Sequence, residues 1–369
     1  GHPVDHTVGY ARGQILASSL DESRRRQHAM HLIRKRALTK GINSFYNFTG
    51  LHREYPVPSG KIAFAEEWIG PALFWEKLVR LAREHLGGGA EHDVAVFNRA
   101  SAGIVAACLA LAAPGSTVLS VTPGSPSHPS ICRGASLAGT RLVEVSTLSR
   151  VNESLSSGPV SLMVITGVSS ELDVMDEALL LECIGLGKPR AGLMAGRPDV
   201  MDRVLAKASE LGLEARPPLS LGVCESLARF DPSGLRQEVE LGEKIYHQLS
   251  ARFGKDRVRR PGLGATIPEE EAWDIVRSLR PADADFPFVP AEITAGMGMY
   301  WLEQYGIITV NVMGQPGARV SLRFKPDPGE VERFGGIPAL IDAVEDGFGF
   351  IAGKTDSVQE MKRLILGES

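Results

Sequence analysis

AVFNRASAGIVAACLALAAPGSTVLSV, residues 95–121, decides the fold. AVF (95–97) and STVLSV (116–121) are short apolar runs of strand type, and residues 101–113 between them are small and aliphatic, as a buried helix requires. VSLMVITG (160–167) repeats the strand pattern. Strand, helix, strand at this spacing is the pattern of a parallel α/β sheet. Upstream, EEWIGPALFWEKLVRLAREHL is helical and is closed by Gly87, Gly88 and Gly89. Downstream, DVMDRVLAKASELG and ELGEKIYHQLSARFG continue the helical pattern. The last third changes character. YGIITVNVM (305–313) and ARVSLRF (318–324) read as strands around a GQPG turn, with a helix over 337–348. The expected organisation is an N-terminal helical arm (1–41), a large α/β domain (42–230) and a smaller α+β domain (231–369).

With 369 residues, 40 Lys+Arg against 44 Asp+Glu and 43% hydrophobic residues, the chain can bury cores without staples. Disulfide-dependent and disordered classes are disfavoured. A pI near 6.2 offers no whole-chain attraction to nucleic acid or acidic membranes. Cys108, Cys132, Cys183 and Cys224 form no CxxC pair, so no zinc or other metal site is expected. No apolar run approaches membrane-spanning length and the start lacks a charged apolar leader, so the chain reads as cytoplasmic, with no membrane partner.

Residues 17–40 pattern as a charged helix. It is either an ordinary surface helix or an arm in which Arg24, Arg25, Arg26, Arg34, Lys35 and Arg36 grip a polyanion such as tRNA. No aromatic residue interleaves these cations, so a tRNA partner has no further support. In FYNFTGLHREYP (45–56), Phe45, Tyr46, Phe48 and Tyr55 have no obvious intramolecular core to enter, which leads to the expectation of a homodimer.

Four constellations can carry chemistry. In FNRASAG (97–103), a strand end passes Asn98 and Arg99 into small residues that open a helix; unpaired amides there can hold a phosphate, with Ser101 adding a hydroxyl, although serine also caps helices for structural reasons alone. The spacings GxGxxG and GxxxxGK[ST] are absent, which argues against NAD and ATP. In PGSPSHPSICRG (123–134), His128 follows a strand end, where open α/β sheets bind ligands; it can stack on a flat ring or simply serve the loop. In GLGKPRAGLMAG (185–196), Lys188 is a Schiff-base candidate or a solvated loop lysine. Arg323 alternates with Leu322 and Phe324, so its fork is turned away from their face, toward a substrate carboxylate or an acid of the protein.

Taken in order, NFTGLHREYP, FNRASAGIVAACLAL, SPSHPSI, ITG, PRAGLMAGRPDVMDRV, LGLEARPPLSLGV and YGIITVNVMGQPGARVSLR resemble the archaeal selenocysteine-synthase-like pyridoxal phosphate proteins. These are distant relatives of bacterial L-seryl-tRNA(Sec) selenium transferase, and the resemblance covers roughly residues 42–350. It implies fold type I of the pyridoxal phosphate enzymes, with a mostly parallel seven-stranded sheet, a smaller C-terminal domain and a dimer or larger assembly. It also implies that Arg99, Ser101 and Ala102 cradle the cofactor phosphate, that His128 stacks on the ring, that Thr166 of ITG lies at the cofactor and that Arg323 takes the substrate carboxylate. The implied activity is β-elimination or replacement on a seryl-like amino acid or aminoacyl substrate. The alternative is a fold type I scaffold without catalysis.

One feature departs from the family. A strand bearing an aspartate for the ring nitrogen, and a strand leading to the Schiff-base lysine, should both follow ITG, which takes roughly 60 residues at about 30 per crossover unit. Gly167 and Lys188 are only 21 residues apart, no Asp-Ala-Ser-Gly-type segment is visible, and Lys188 abuts Pro189. Three readings stand: the numbering passes over absent residues, the chain is a natural deletion unable to form the Schiff base, or Lys188 serves from a shifted position. The helix-like run 177–187, cut as if from a longer context, favours the first.

Overall fold

The computed structural model describes residues 12–49, 57–122, 127–167, 193–230, 233–260, 264–313, 321–325 and 327–367. The chain forms two compact units, one of Arg53–Asp231 and one that joins Gly1–His52 to Pro232–Ser369.

The 53–231 unit contains the elements expected from residues 95–121. Chain order gives helix α2 (Ile69–Leu86), strand β2 (Asp93–Val96), α3 (Ala100–Leu111), β3 (Thr117–Val121), α4 (Pro129–Leu137), β4 (Arg141–Val145), α5 (Leu148–Ser157), β5 (Val160–Ile165), β6 (Leu193–Gly196), α6 (Pro198–Leu211) and α7 (Pro217–Leu227). Strand β3 pairs in parallel with β4 on one side and β5 on the other, while β2 pairs antiparallel with β6. Parallel strands are covered on both faces, which is why STVLSV carries no polar alternation. Leu119 and Val121 pack with Val151 of α5, whereas Val118 turns to the opposite face with Ala112 and Ala135. Strand β2 divides likewise: Ala95 packs with α3 and α6 through Ala106, Met201 and Val204, and Val96 packs with α2 and α7 through Phe74, Leu78 and Leu221. Helix α2 ends as expected at Gly87, whose φ of 67° is the left-handed conformation that glycine adopts at no steric cost.

The other unit begins with α1 (Ser19–Lys40) and includes β1 (Tyr46–Asn47), α8 (Ser233–Phe253), β7 (Ala265–Ile267), α9 (Glu269–Ser278), α10 (Pro290–Gln304), β8 (Ile307–Ile308), α11 (Val310–Met313), β9 (Leu322–Phe324), α12 (Pro328–Phe334), α13 (Gly336–Lys354) and α14 (Val358–Leu366). Its centre is α10, buried along nearly its whole length. Trp301 is fully buried there, and its indole N–H donates to the Ala343 carbonyl at 2.8 Å. Sequence patterning reads 305–313 as one strand; only Ile307–Ile308 pairs, with Tyr46–Asn47, before Thr309 opens the short helix α11. The β-branched run hides that turn, because Ile and Val favour strands while Thr is also a helix-capping residue.

Two expectations are corrected by this unit. Phe48 is fully buried in its core, and Tyr46 and Phe48 both pack edge-on against Phe334 at 4.9 and 5.6 Å. Phe45 packs beside Ala29, Leu32 and Leu302. These aromatics therefore fill an intramolecular core, one formed with the C-terminal residues, and they do not argue for a subunit interface; Tyr55 lies outside the described residues. The basic arm is likewise not one exposed cationic face. Arg25 is buried, and Arg36 donates to the carbonyls of Ser44, Glu303, Gln304 and Tyr305, closing the C-terminus of α10. Arg24 donates to Asp21 at 3.3 Å, while Arg34 and Lys35 remain exposed.

No described helix is long and apolar enough to cross a membrane, and no described group of three His, Cys, Asp or Glu side chains could hold a metal. Cys108, Cys132 and Cys224 are free thiols.

Candidate active site

Helix α3 starts directly after β2. Arg99 is its N-cap in extended conformation, its carbonyl accepting from the amides of Ala102 (3.0 Å) and Gly103 (3.3 Å). Asn98, Arg99 and Ala100 are exposed, Ser101 and Ala102 are half-buried, and no acidic residue occupies the first turn. The positive end of the helix dipole is thus uncompensated by any carboxylate of its own first turn. Gly103 permits the close seat of this turn on the strand end, since a Cβ there would meet the Phe97 ring at 3.0 Å.

His128 is the N-cap of α4, after β3. Its Nδ1 accepts from the Ser130 amide at 3.2 Å, which leaves the hydrogen on Nε2. Burial, with the Arg133 guanidinium adding to it, holds His128 below the usual histidine range, so the ring is neutral at pH 7. The loop is anchored from below. The Ser127 hydroxyl donates to Ser120 Oγ at 2.6 Å, and the Ser127 amide donates to Glu144 Oε1 at 2.6 Å. Ser120 and Glu144 were not singled out in the sequence. Their signal was a serine inside the apolar run STVLSV and a glutamate in the strand LVEV. Thr166 follows β5, and its amide donates to the Val121 carbonyl at 2.9 Å, which sets it at the carboxyl end of β3 beside the segment leading to His128.

Helices α3 and α4 pack against each other, closely enough that a Cβ at Gly134 would meet Cys108 at 2.8 Å. Arg99, Ser101, Ala102, His128 and Thr166 thus all lie just beyond strand ends of the same unit. Lys188 falls within 168–192, outside the described residues. Arg323 belongs to the other unit: it is half-buried on β9, between fully buried Leu322 and Phe324 and opposite Thr266 of β7.

No family model matches the chain. A protein of Methanothermobacter thermautotrophicus, described as a UPF0425 pyridoxal phosphate-dependent protein, is 30% identical over 403 residues, covering 96% of this chain and all of the relative. This chain belongs to that family. A second member, from Methanosphaera stadtmanae, is 27% identical over 84% of this chain and 89% of its own length. The 403-residue match exceeds the 369 residues of this chain, so the first relative carries residues that this member of the family lacks. Among solved structures, N-succinyldiaminopimelate aminotransferase from Mycobacterium tuberculosis superimposes with a TM-score of 0.51 at 14% identity, over 84% of this chain and 96% of that one. Alanine–glyoxylate aminotransferase from Nostoc sp. does so at 0.51 and 12%, over 82% and 95%. The fold is fold type I of the pyridoxal phosphate enzymes, as the sequence led us to expect.

Proposed function

We propose that this protein is a pyridoxal phosphate enzyme acting on a small amino acid or aminoacyl substrate, with the cofactor phosphate at the start of α3. The observation that carries this reading is the acid-free, small-residue first turn of α3 after a strand end, in a chain of a pyridoxal phosphate-dependent family. The described residues fit the group. The exposed, acid-free start of α3, with Ser101 and Ala102 in its first turn and the Arg99 side chain beside it, suits a phosphate, and a neutral, loop-anchored His128 suits a flat ring. When bound, the cofactor supplies an electron sink for charge developing at the substrate Cα. Two side chains are proposed to supply position: Thr166, at the carboxyl end of β3, toward the cofactor, and Arg323 toward the substrate carboxylate.

Lys188, in the glycine-rich run 185–196, is the proposed covalent anchor, as the family resemblance implies. Within 53–231, Lys61 and Lys77 both pair with Glu225, and Lys207 pairs with Glu210. The finer part of the reading, kinship with selenocysteine synthases and β-elimination or replacement, rests on the order of the sequence segments, and assembly as a homodimer rests on the fold. A second reading, a non-catalytic scaffold, is favoured by the short span from Gly167 to Lys188 and by the residues lacking relative to the family member. Titration with pyridoxal phosphate, followed by borohydride and intact-mass analysis, separates the two. The enzyme reading expects a visible absorption band and a reduced adduct mapping to Lys188. Binding without any adduct supports the scaffold.

Arg323→Lys is expected to leave folding and cofactor absorbance intact and to weaken amino-acid binding about tenfold or more, because lysine cannot reproduce two parallel donors worth about 1.5–3 kcal/mol. Unfolding of the variant, with unchanged affinity in the folded fraction, would make Arg323 a structural ion-pair partner.

A further inference from the structure

On β9 the side chains alternate across the ladder: Leu322 and Phe324 enter the core, and Arg323 takes the opposite face. Arg323 lies directly across from Thr266 of β7, and Thr266 lies across from Arg259, with which it exchanges both backbone hydrogen bonds at 2.7 and 2.9 Å. Residues that oppose each other across a ladder carry their side chains on one side, about 4.5–5.5 Å apart at Cβ. Arg259, Thr266 and Arg323 therefore form a row. Lys325, directly after β9, continues the alternation on the Arg323 side; a Cβ on Gly264, which stands across from it, would lie 3.1 Å from Lys325 Cβ. Solvent reaches this face, since Arg259 is exposed and Arg323 and Lys325 are half-buried. The Thr266 hydroxyl, flanked by the two arginines, is buried and finds no partner.

Lys325 is loosely held. It pairs with Glu238 of α8 at 3.7 Å, longer than a hydrogen bond, whereas an ammonium carries three donors. Burial pulls the Lys325 ammonium below the usual lysine range; Glu238 opposes this shift, and the nearby Arg323 guanidinium adds to it. Two like charges side by side, one of them partly desolvated, are relieved by a ligand that brings an anion to each. The Arg323 fork suits a planar carboxylate, and the compact ammonium beside it suits a second anionic group on the same molecule.

We propose that Lys325 is the specificity-determining residue of the Arg323 site, and that the substrate is an amino acid whose side chain is itself a carboxylate. The proposal rests on the reading in which Arg323 takes the α-carboxylate. Lys325, about 7 Å further along the same face at the Cα, then takes the side-chain carboxylate. A neutral side chain in that position leaves the ammonium to Glu238 alone and gains nothing from it.

Isothermal titration of the full chain, saturated with pyridoxal phosphate, tests this with aspartate and asparagine, which differ in charge and hardly in size. Aspartate is expected to bind at least about tenfold more tightly than asparagine. Lys325→Met keeps the aliphatic stem without the charge and should bring that ratio to about one, whereas Lys325→Arg should retain most of it. Arg323→Lys should weaken both ligands together and leave the ratio near its wild-type value. If Lys325→Met does not fold, Glu238→Gln decides the matter: it removes the competing carboxylate and should raise the aspartate preference about threefold or more. Equal affinities in the wild-type chain, or a preference that Lys325→Met or Glu238→Gln leaves unmoved, overturn the proposal while the Arg323 and cofactor readings stand. Failure of both amino acids to bind removes the amino-acid reading itself, and this proposal with it.

Discussion

Glu292→Ala should destabilise the protein by about 3–5 kcal/mol and release the N-terminal segment from α10. Glu292 is fully buried near the start of that helix, and its Oε1 accepts from the amides of Ile15 (2.5 Å) and Leu16 (3.0 Å), while Oε2 reaches back to the Val289 amide (3.2 Å). Ile15 and Leu16 are themselves buried, so deletion of the carboxylate leaves their N–H groups without water to replace it. Each such orphan costs about 1–3 kcal/mol. Gly13 lies against the same carboxylate, with no room for a Cβ, so the segment's path is fitted to this one side chain. Urea denaturation of Glu292→Ala and Glu292→Gln measures the effect. The amide variant retains one acceptor oxygen and should cost less, and limited proteolysis of the alanine variant should cut within the first twenty residues. A loss under about 1 kcal/mol for alanine would show that apolar packing of Ile15 and Leu16 holds the segment without help from the acid.

Ser101→Glu should leave the fold as stable as before, or slightly more so, and weaken pyridoxal phosphate binding on the order of a hundredfold. An acid in the first turn of α3 favours the helix dipole by about 0.3–1 kcal/mol, so loss of folding is not the expected route. The same charge repels a phosphate dianion. At about 5 Å and an effective dielectric near 20 each pair of unit charges repels by roughly 3 kcal/mol; partial exposure of the turn screens the dianion's total to a similar figure. Spectrophotometric titration with the cofactor reads the change directly, and Ser101→Ala, which removes only the hydroxyl, should lose far less. An affinity within threefold of wild type would move the phosphate away from α3 and remove the observation on which the proposed function rests.

The legible parts of this protein are those where local pattern and tertiary need agree. The run 95–121 reads as strand, helix, strand because both faces of the parallel strands are covered, which demands continuous apolar sequence, and the small, acid-free first turn of α3 is visible without coordinates. The order of the segments carries membership of a pyridoxal phosphate-dependent family and no finer kinship. His128 was visible as a residue but its state was not: its neutrality depends on burial, on Arg133 and on the amide of Ser130, and the loop that holds it depends on Ser120 and Glu144 from two different strands.

What only the tertiary structure decided are the partnerships across long separations. Phe45, Tyr46 and Phe48 look like surface aromatics until Phe334 and Leu302, nearly three hundred residues away, close over them. Arg25 and Arg36 look like members of one basic arm until α1 is laid on α10 and α11, which buries the first and turns the second onto helix-terminal carbonyls. A residue's type and its neighbours in sequence determine which local structure it favours. Which face meets another element, and hence whether an aromatic or a cation is surface, core or site, is set by contacts that only the folded chain brings together.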